Sequence, residues 1–448
     1  MAESLEHKLQ WAKDNPFMCV EPWRTIDIRA SDIPGKLRAN CCCNLDYNKF
    51  KYGLILDETF DNFNEVKSSM LGNRWHPGCN KCRKEELAGG QSERIRSILG
   101  HYDYQLADLL EKRSIDNYEI RIKFSNKCVQ ACRMCCAEES SLWQKIAGIE
   151  TTTGYEIDIT EDPAAWDHIT KFIVSHIGKH EHFYIHLMGG ETLIQDGARK
   201  LLNWCVDNGY EKYLRIRLTT SFSVIPDGIL DLLLKFIKTQ FVLSIDSVGD
   251  NYRYVRWPVE FQKVEQNLLN AIGYNNARYG NFAFIISPVF SLNNIFYIDD
   301  FIDYWDKFLT WAGRGYIIMN TNLTLQTHYL DVQALPIQYR QPLIEKLTNL
   351  LSHNMFVRHR EETIHIYNFL TTTINELNRW PNDLILWSKF LTFTAEFDRR
   401  TDTKFSILNS RLYDMLTEED KLAFDQELNK VNILKRIPIK YTYDNTKI

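Results

Sequence analysis

At 448 residues, with 44% hydrophobic and 25% charged residues, the chain has the balance of a water-soluble globular protein with room for two or three cores. A net charge of -5 gives no global attraction to nucleic acid or anionic membranes, so only a local basic groove stays open as a nucleic-acid site. The sequence shows neither an N-terminal signal pattern nor a long apolar run, which argues against secretion and membrane spanning and for a cytoplasmic protein. Ten of the 11 cysteines lie in the first 136 residues, with only Cys205 beyond them. Without a secretory signal, such clustering points to metal ligation in a reducing compartment rather than to disulfides.

The first cysteines are Cys19, then Cys41-Cys42-Cys43 after Gly35, then the pair Cys79-Asn-Lys-Cys82. Consecutive side chains diverge in an extended chain and one metal corner needs one thiolate, so only one member of the triplet is expected to serve a given corner. Four cysteines that include a CX2C pair suit an iron-sulfur cluster or zinc. His76 reads as a surface residue beside Pro77. The mixed charges of Arg83 to Arg96, around Gly89-Gly90, read as a solvated turn and helix start.

From Tyr118 onward strands and helices alternate, the pattern of β/α units with a parallel sheet. Strands are predicted at Tyr118 to Phe124, His182 to Met188, Leu214 to Thr220, Gln240 to Asp246, Phe282 to Pro288 and Tyr316 to Asn320. Apolar periodicity marks helices at Pro163 to His176, Gly197 to Val206, Gly228 to Ile237, Val259 to Tyr274 and Ile295 to Leu309. An insertion rich in Thr and acidic residues, Gly148 to Asp162, separates the first two strands. His176, His180, His182 and His186 run from a helix end through a loop into a strand, share no face, and read as surface or packing residues. Cys136 reads as a buried thiol. Composition alone allows a partial barrel, a full eight-unit barrel or a doubly wound sheet. Beyond about residue 330 helices are predicted at Leu343 to Leu351, Glu362 to Leu377, Asp383 to Phe397 and Glu418 to Asn429, the last capped by Thr417 with Asp420 three positions on. The run Glu396-Phe397-Asp398-Arg399-Arg400 reads as a solvated face, or as part of a helical extension that closes the side of an open barrel.

Chemistry concentrates at the carboxyl ends of the predicted strands, where parallel β/α proteins bind ligands. After the first comes Cys128-Val-Gln-Ala-Cys132-Arg-Met-Cys135, a CX3CX2C run whose three thiolates can hold three irons of a [4Fe-4S] cluster and leave the fourth open. After the second comes Gly189-Gly190-Glu191. Cysteine spacing and GGE, in that order on those elements, resemble the radical S-adenosylmethionine (SAM) family. Met134 stands where the family usually has an aromatic residue. The resemblance implies a partial (β/α)6 TIM-like barrel, a SAM-binding [4Fe-4S] cluster, and reductive cleavage of SAM to a 5'-deoxyadenosyl radical that abstracts hydrogen from a substrate.

Within that resemblance, Gly189 and Gly190 let the backbone approach SAM and Glu191 accepts from its ammonium. The third strand ends Thr219-Thr220-Ser221, and the fourth ends Ser244-Ile245-Asp246-Ser247, similar to an SxDG segment with serine in place of glycine. Ser221 and Ser244 are the expected partners of the SAM ribose or carboxylate, and Arg256 of a carboxylate. A CX15GX5C spacing from Cys19 through Gly35 to Cys41 resembles the CX9-15GX4C segment of twitch and SPASM domains. This implies a Cys-rich auxiliary-cluster domain over residues 1–115, ahead of a barrel over 116–330 and a helical extension over 331–448, and a second [4Fe-4S] cluster held by Cys19, Cys79, Cys82 and one of Cys41 or Cys42. Enzymes with such domains mostly modify peptides or proteins and draw electrons from a donor such as flavodoxin or ferredoxin. Modification of a nucleotide or nucleic acid is the alternative enzyme reading. A zinc-stabilised interaction protein without catalysis is the alternative of another class.

Overall fold

The computed structural model describes residues 5–30, 37–42, 45, 61–87, 92–99, 109, 117–148, 158–312, 317–319 and 328–430. Gly35, Cys43, Gly89, Gly90, most of the predicted insertion and both ends of the sixth predicted strand, Tyr316 and Asn320, lie outside the described residues.

The six predicted strands form, in sequence order, one continuous parallel run: β3 (Asn117–Lys123), β5 (His182–Met188), β6 (Arg215–Thr220), β7 (Lys238–Leu243), β9 (Phe282–Ile286) and β10 (Ile317–Met319). Helices fill the connections, as parallel neighbours require: Pro163–His176, Asp196–Asp207, Ile229–Leu233, Phe261–Ala277 and Ile298–Ala312. Two strands outside the predicted set complete the sheet. β1 (Thr25–Ala30) pairs in parallel with β3, and β2 (Leu37–Asn40) pairs antiparallel with β1 at the edge. A short ribbon lies apart, with β4 (Ala131–Cys132) antiparallel to β8 (Arg256–Trp257). Helices Arg340–Leu350, Arg360–Leu377, Leu384–Arg400 and Glu418–Leu428 follow. Among the described residues no helix is long and apolar enough to cross a membrane.

Local chemistry explains the boundaries. Asp162 accepts from the amides of Ala164 and Ala165 ahead of Pro163, and Asp383 from those of Ile385 and Leu386, so both helices start at a carboxylate cap. Thr417 caps the last helix by accepting from the Asp420 amide. The predicted fourth strand ran too far. Ladder pairing stops at Leu243 because Ile245 folds back to the Leu243 carbonyl and Asp246 turns to the Val289 amide. The predicted helix to Ile237 ends at Leu233, since the Ile237 amide already bonds the Leu214 carbonyl beside β6.

The two faces of the sheet differ. Ile120, Ile122, Phe183, Ile185, Leu187, Ile216, Leu218, Phe241, Leu243, Phe282, Phe284 and Ile286 alternate onto one face and are buried in the main core with helix residues such as Ile169, Leu201, Val264 and Ile302. The other face is polar yet also buried. A single register row crosses it: Asn40, Asp27, Arg121, His186, Arg217 and Gln240. One step below, the fully buried Glu119 accepts from Arg121 Nε at 2.6 Å, His186 Nδ1 at 3.2 Å and Arg217 Nη1 at 2.5 Å. Arg217 in turn donates to Gln240 Oε1, and Glu21 pairs with both Arg24 and Arg121. Burial opposes the charge on Glu119, but the guanidinium groups of Arg217 and Arg121 outweigh it and hold its carboxyl well below the usual range. Burial pushes His186 down to about 4, so its neutral ring donates from Nδ1 to Glu119 and accepts from the Thr219 hydroxyl at Nε2, 2.8 Å away. Burial likewise raises Asp27, neither of whose buried oxygens has a hydrogen-bond partner.

Glu119→Ala would strand two buried arginines, and removing one partner from such a network costs about 3–5 kcal/mol. Urea unfolding at pH 7 should show that loss. Because the folded pKa of Glu119 is depressed, its contribution is complete above the ordinary glutamate range and disappears as pH falls towards the folded value. The gap between parent and variant should therefore narrow on acidification. A constant gap down to pH 3 would contradict the assignment.

Candidate metal centres

Cys128, Cys132 and Cys135 sit on the loop that leaves the carboxyl end of β3, and each turn of that loop is pinned. The Cys128 amide donates to Ser141 Oγ at 3.0 Å, and the Ser140 hydroxyl to the Gln130 carbonyl at 2.5 Å. Trp143 Nε1 donates to the Cys132 carbonyl at 2.7 Å, and the Cys135 amide donates to the same carbonyl at 2.9 Å. The ribbon sets Cys132 directly opposite Arg256, whose Nη1 lies 3.4 Å from Cys132 Sγ. The Gln130 amide points at Cys128 Sγ, 3.5 Å away. The Cys135 thiol donates towards Cys132, which with Arg256 lowers the Cys132 pKa, while Cys135 is raised in turn. Burial pushes Cys128 up to about 12. All three thiols are free of disulfides.

The GGE segment is brought against this loop, and protein backbone is what its glycines accommodate. Gly189 and Gly190 have φ of +89° and +47°. A Cβ on Gly190 would lie 2.2 Å from the Lys127 carbonyl oxygen, and one on Gly189 2.8 Å from that of Ser125. The Glu191 amide then donates to the Lys127 carbonyl at 2.9 Å. Glu191 itself is buried, and its carboxylate accepts from the Leu193 amide at 3.3 Å, the Ser221 amide at 2.9 Å, the Ser221 hydroxyl at 2.5 Å and the Thr220 hydroxyl. Glu191 and Ser221 thus meet each other, at the ends of β5 and β6. Ser244 is half-buried just past β7, its amide bonded to the Thr220 carbonyl at 2.9 Å. Arg256 points to the cysteine loop and to Asp246, whose Oδ2 is 2.6 Å from Arg256 Nε.

The N-terminal cysteines also converge. Cys19 precedes the helix Glu21–Arg24 that leads into β1, Cys41 and Cys42 follow β2, Cys79 closes a 3-10 turn, and Cys82 lies in the first turn of the helix Asn80–Leu87. All five line one pocket with Trp75, Met70 and Arg94. Cys19, Cys41 and Cys82 are buried, and Cys42 and Cys79 half-buried. Burial raises Cys19, Cys41 and Cys79, the last to about 12. Among the described residues no three His, Cys, Asp or Glu side chains converge tightly enough to hold a single metal ion. A four-iron cluster takes one thiolate at each corner, so its ligands stand apart rather than meet at a point.

Two readings of this region need correction. His76 is buried rather than on the surface: its Nδ1 accepts from the Gly78 amide at 3.1 Å and starts the turn that carries Cys79. Arg94, taken for part of a solvated run, is buried because it donates to Glu86 and to the carbonyls of Asn15 and Met18 at 3.2 and 3.0 Å, tying the Cys82 helix to the segment before Cys19. The four histidines do not converge either. His176 and His180 stack on Tyr118 at 4.6 and 4.8 Å, while His186 joins the Glu119 network.

Sequence reasoning missed the C-terminal grip on the cysteine loop. Arg133, between two of the cysteines, is fully buried and donates to the Tyr254 carbonyl at 2.8 Å, Asp398 Oδ1 at 2.5 Å and Thr403 Oγ1 at 3.0 Å, with its guanidinium over the Tyr254 ring at 3.6 Å. Trp257 Nε1 donates to Asp402 Oδ1 at 2.5 Å, and Trp143 packs on Phe397 at 5.7 Å. A signal was present: Trp387, Leu391, Thr394 and Asp398 fall four, three and four residues apart on the buried face of one helix, which separates Asp398 from the partly buried Glu396, Arg399 and Arg400 of the charge run.

The class so far defined is a parallel α/β protein with one cysteine loop at the strand ends and a second cysteine pocket at the sheet edge. No family model matches the chain, and no curated protein matches its sequence. Among solved structures it is similar to Streptococcus suis SuiB bound to precursor peptide SuiA, at 14% identity and a TM-score of 0.36, over 63% of this chain and 60% of that one. It is similar to native anSMEcpe with bound AdoMet at 16% identity and a TM-score of 0.36, over 53% and 61%. For Streptococcus suis SuiB bound to S-adenosylmethionine the values are 14%, 0.35, 73% and 69%. The chain spans about three fifths of the length of the first two. Scores of this size lie below those of chains that share a fold, so the functional reading rests on the residues themselves.

Gly190→Ala should be far costlier than Gly148→Ala. Both glycines have positive φ, worth about 1–3 kcal/mol of strain for another residue, but a Cβ at Gly148 meets nothing within 4 Å. Urea midpoints of the two variants measure the difference, and equal midpoints would show that the Gly190 contact is not tight.

Proposed function

We propose that this protein is a radical SAM enzyme, with Cys128, Cys132 and Cys135 holding a [4Fe-4S] cluster. The observation that carries the reading is the CX3CX2C loop at the end of β3, with Glu191, Ser221 and Arg256 gathered around it from the ends of β5 and β6 and from β8. The donor set fits the group: three free thiols on one pinned loop, with N–H donors aimed at two of their sulfurs. When bound, a cluster with one iron free of protein ligands supplies the electron that cleaves a carbon-sulfur bond of SAM and yields a radical able to take hydrogen from substrate.

The chain's own residues do the positioning. Glu191 presents a carboxylate whose hydroxyl partners, Thr220 and Ser221, can give way to the SAM ammonium. Gly189, Gly190, Ser221 and Ser244 are the further residues assigned to SAM. Trp143, Ala131 and Phe397 form an apolar cluster behind the loop that keeps water from its back. Strands β3, β5, β6, β7, β9 and β10 form the partial barrel of a domain over 116–330, with 1–115 as the auxiliary-cluster domain and 331–448 as the helical extension.

The N-terminal pocket holds a second [4Fe-4S] cluster in this reading, through Cys19, Cys79, Cys82 and either Cys41 or Cys42. Cys41 is the more buried of the two. A peptide or protein substrate, and an electron donor such as flavodoxin or ferredoxin, follow from the twitch and SPASM resemblance, and a cytoplasmic location from the sequence's lack of a signal pattern.

Replacing Cys128, Cys132 and Cys135 together by alanine should remove about four irons per chain from anaerobically reconstituted protein and abolish SAM cleavage under dithionite. About four irons should remain at the N-terminal site. Continued SAM cleavage by the triple variant would sink the catalytic assignment. Zinc in place of the remaining iron would make the N-terminal site a structural staple.

A further inference from the structure

The ribbon of β4 and β8 places Arg256 against a cysteine sulfur, and several contacts keep it there. Asp246 is fully buried and holds Arg256 Nε at 2.6 Å with one oxygen while its other oxygen accepts the Val289 amide at 2.9 Å. The Asp246 carbonyl accepts from Asn294 Nδ2 at 2.7 Å. On the other side, the Arg133 amide bonds the Val255 carbonyl at 2.9 Å, so the loop and the residue before Arg256 move as one. With Nε on Asp246 and Nη1 at 3.4 Å from Cys132 Sγ, two of the three guanidinium nitrogens are committed within the protein.

The charges around the sulfurs are unequal. The Arg256 guanidinium is in contact with Cys132 Sγ, whereas the carboxylate of Asp246 stands behind Arg256, and Glu191 is held through its amide to the Lys127 carbonyl, next to Cys128. Reduction adds negative charge to a cluster and its thiolates. A buried cation that donates an N–H to one of those sulfurs stabilises the reduced form more than the oxidised form, and so raises the potential.

We propose that Arg256, aimed by Asp246, sets the reduction potential of the cluster on the 128–135 loop through a charged N–H···S hydrogen bond to Cys132. This role rests on the iron-sulfur reading of the loop, and it is separate from the SAM-carboxylate pairing that the sequence suggested, because it acts before SAM binds.

The test is a redox titration of reconstituted parent, Arg256→Met and Arg256→Lys proteins without SAM. It is followed by electron paramagnetic resonance of the reduced cluster whose signal changes when SAM is added afterwards. Arg256→Met should keep its iron, yet at a fixed potential its ratio of reduced to oxidised cluster should fall at least about tenfold, which is about 59 mV for a one-electron couple. Arg256→Lys, which keeps the charge without the fixed fork, should fall in between, and the midpoint of the N-terminal cluster should not move. Full iron with an unchanged or higher midpoint in Arg256→Met overturns the proposal. Loss of the loop's iron in both variants also overturns it, since Arg256 would then hold the loop rather than tune it. Equal iron in the parent and in the triple cysteine variant would instead show that the loop binds no cluster, and the proposal would fall with that reading.

Discussion

A carboxylate with no exposure, Glu119, stands at the centre of the polar face, and such a group is tolerated only if paired or protonated. It is paired from several strands at once. Arg121 lies on its own strand, His186 on β5 and Arg217 on β6, while Arg24 leads into β1 and stands 3.7 Å away. The partners therefore have to arrive in one register, and the sheet that results sets the positions of every strand end. Both cysteine sites hang from those ends: the 128–135 loop from β3, and Cys41 and Cys42 from β2.

The loop after β3 is then held from three directions by different chemistry. Backbone bonds and glycine contacts attach it to the end of β5, where no side chain would fit. The β4–β8 ribbon attaches it to the segment after β7 and aligns Arg256 with Cys132. Arg133 anchors it to the helix Leu384–Arg400 through Asp398, which also accepts the Phe405 amide at 2.6 Å. A loop that must keep three sulfurs in place gains from this redundancy, because each attachment removes a different freedom of the backbone.

The N-terminal pocket is assembled by longer-range means. Its cysteines come from four separate elements, and buried polar groups close the gaps between them: Arg94 binds carbonyls of the first helix and its exit, and His76 starts the turn at Cys79. Glu21 links this region to the sheet, since it pairs with Arg121 at 3.0 Å two residues after Cys19. The two cysteine sites therefore share one scaffold rather than two independent ones, and that scaffold is the Glu119 face.

The amino-acid sequence by itself determined what short-range physics controls. Alternation along His182–Met188 and its fellows marked the six parallel strands, 3.6-residue periodicity marked the helices between them, and the Thr417 hydroxyl marked the start of the last helix. Cysteine spacing and the GGE segment marked where chemistry would concentrate, because ligand spacing on a short loop is local. What the tertiary structure alone decided depends on residues far apart in the chain. Strand β1 alternates Ile26, Ile28 and Ala30 with polar residues but stands apart from the β/α run, and its pairing with β3 places it in the sheet, while the four-residue β2 is a strand only by pairing with β1. Arg133 and Asp398 are 265 positions apart, and Arg256 and Cys132 124, so no window of sequence could join them. His76 and Arg94 read as surface residues because burial of a polar side chain depends on partners that only folding brings within hydrogen-bond reach.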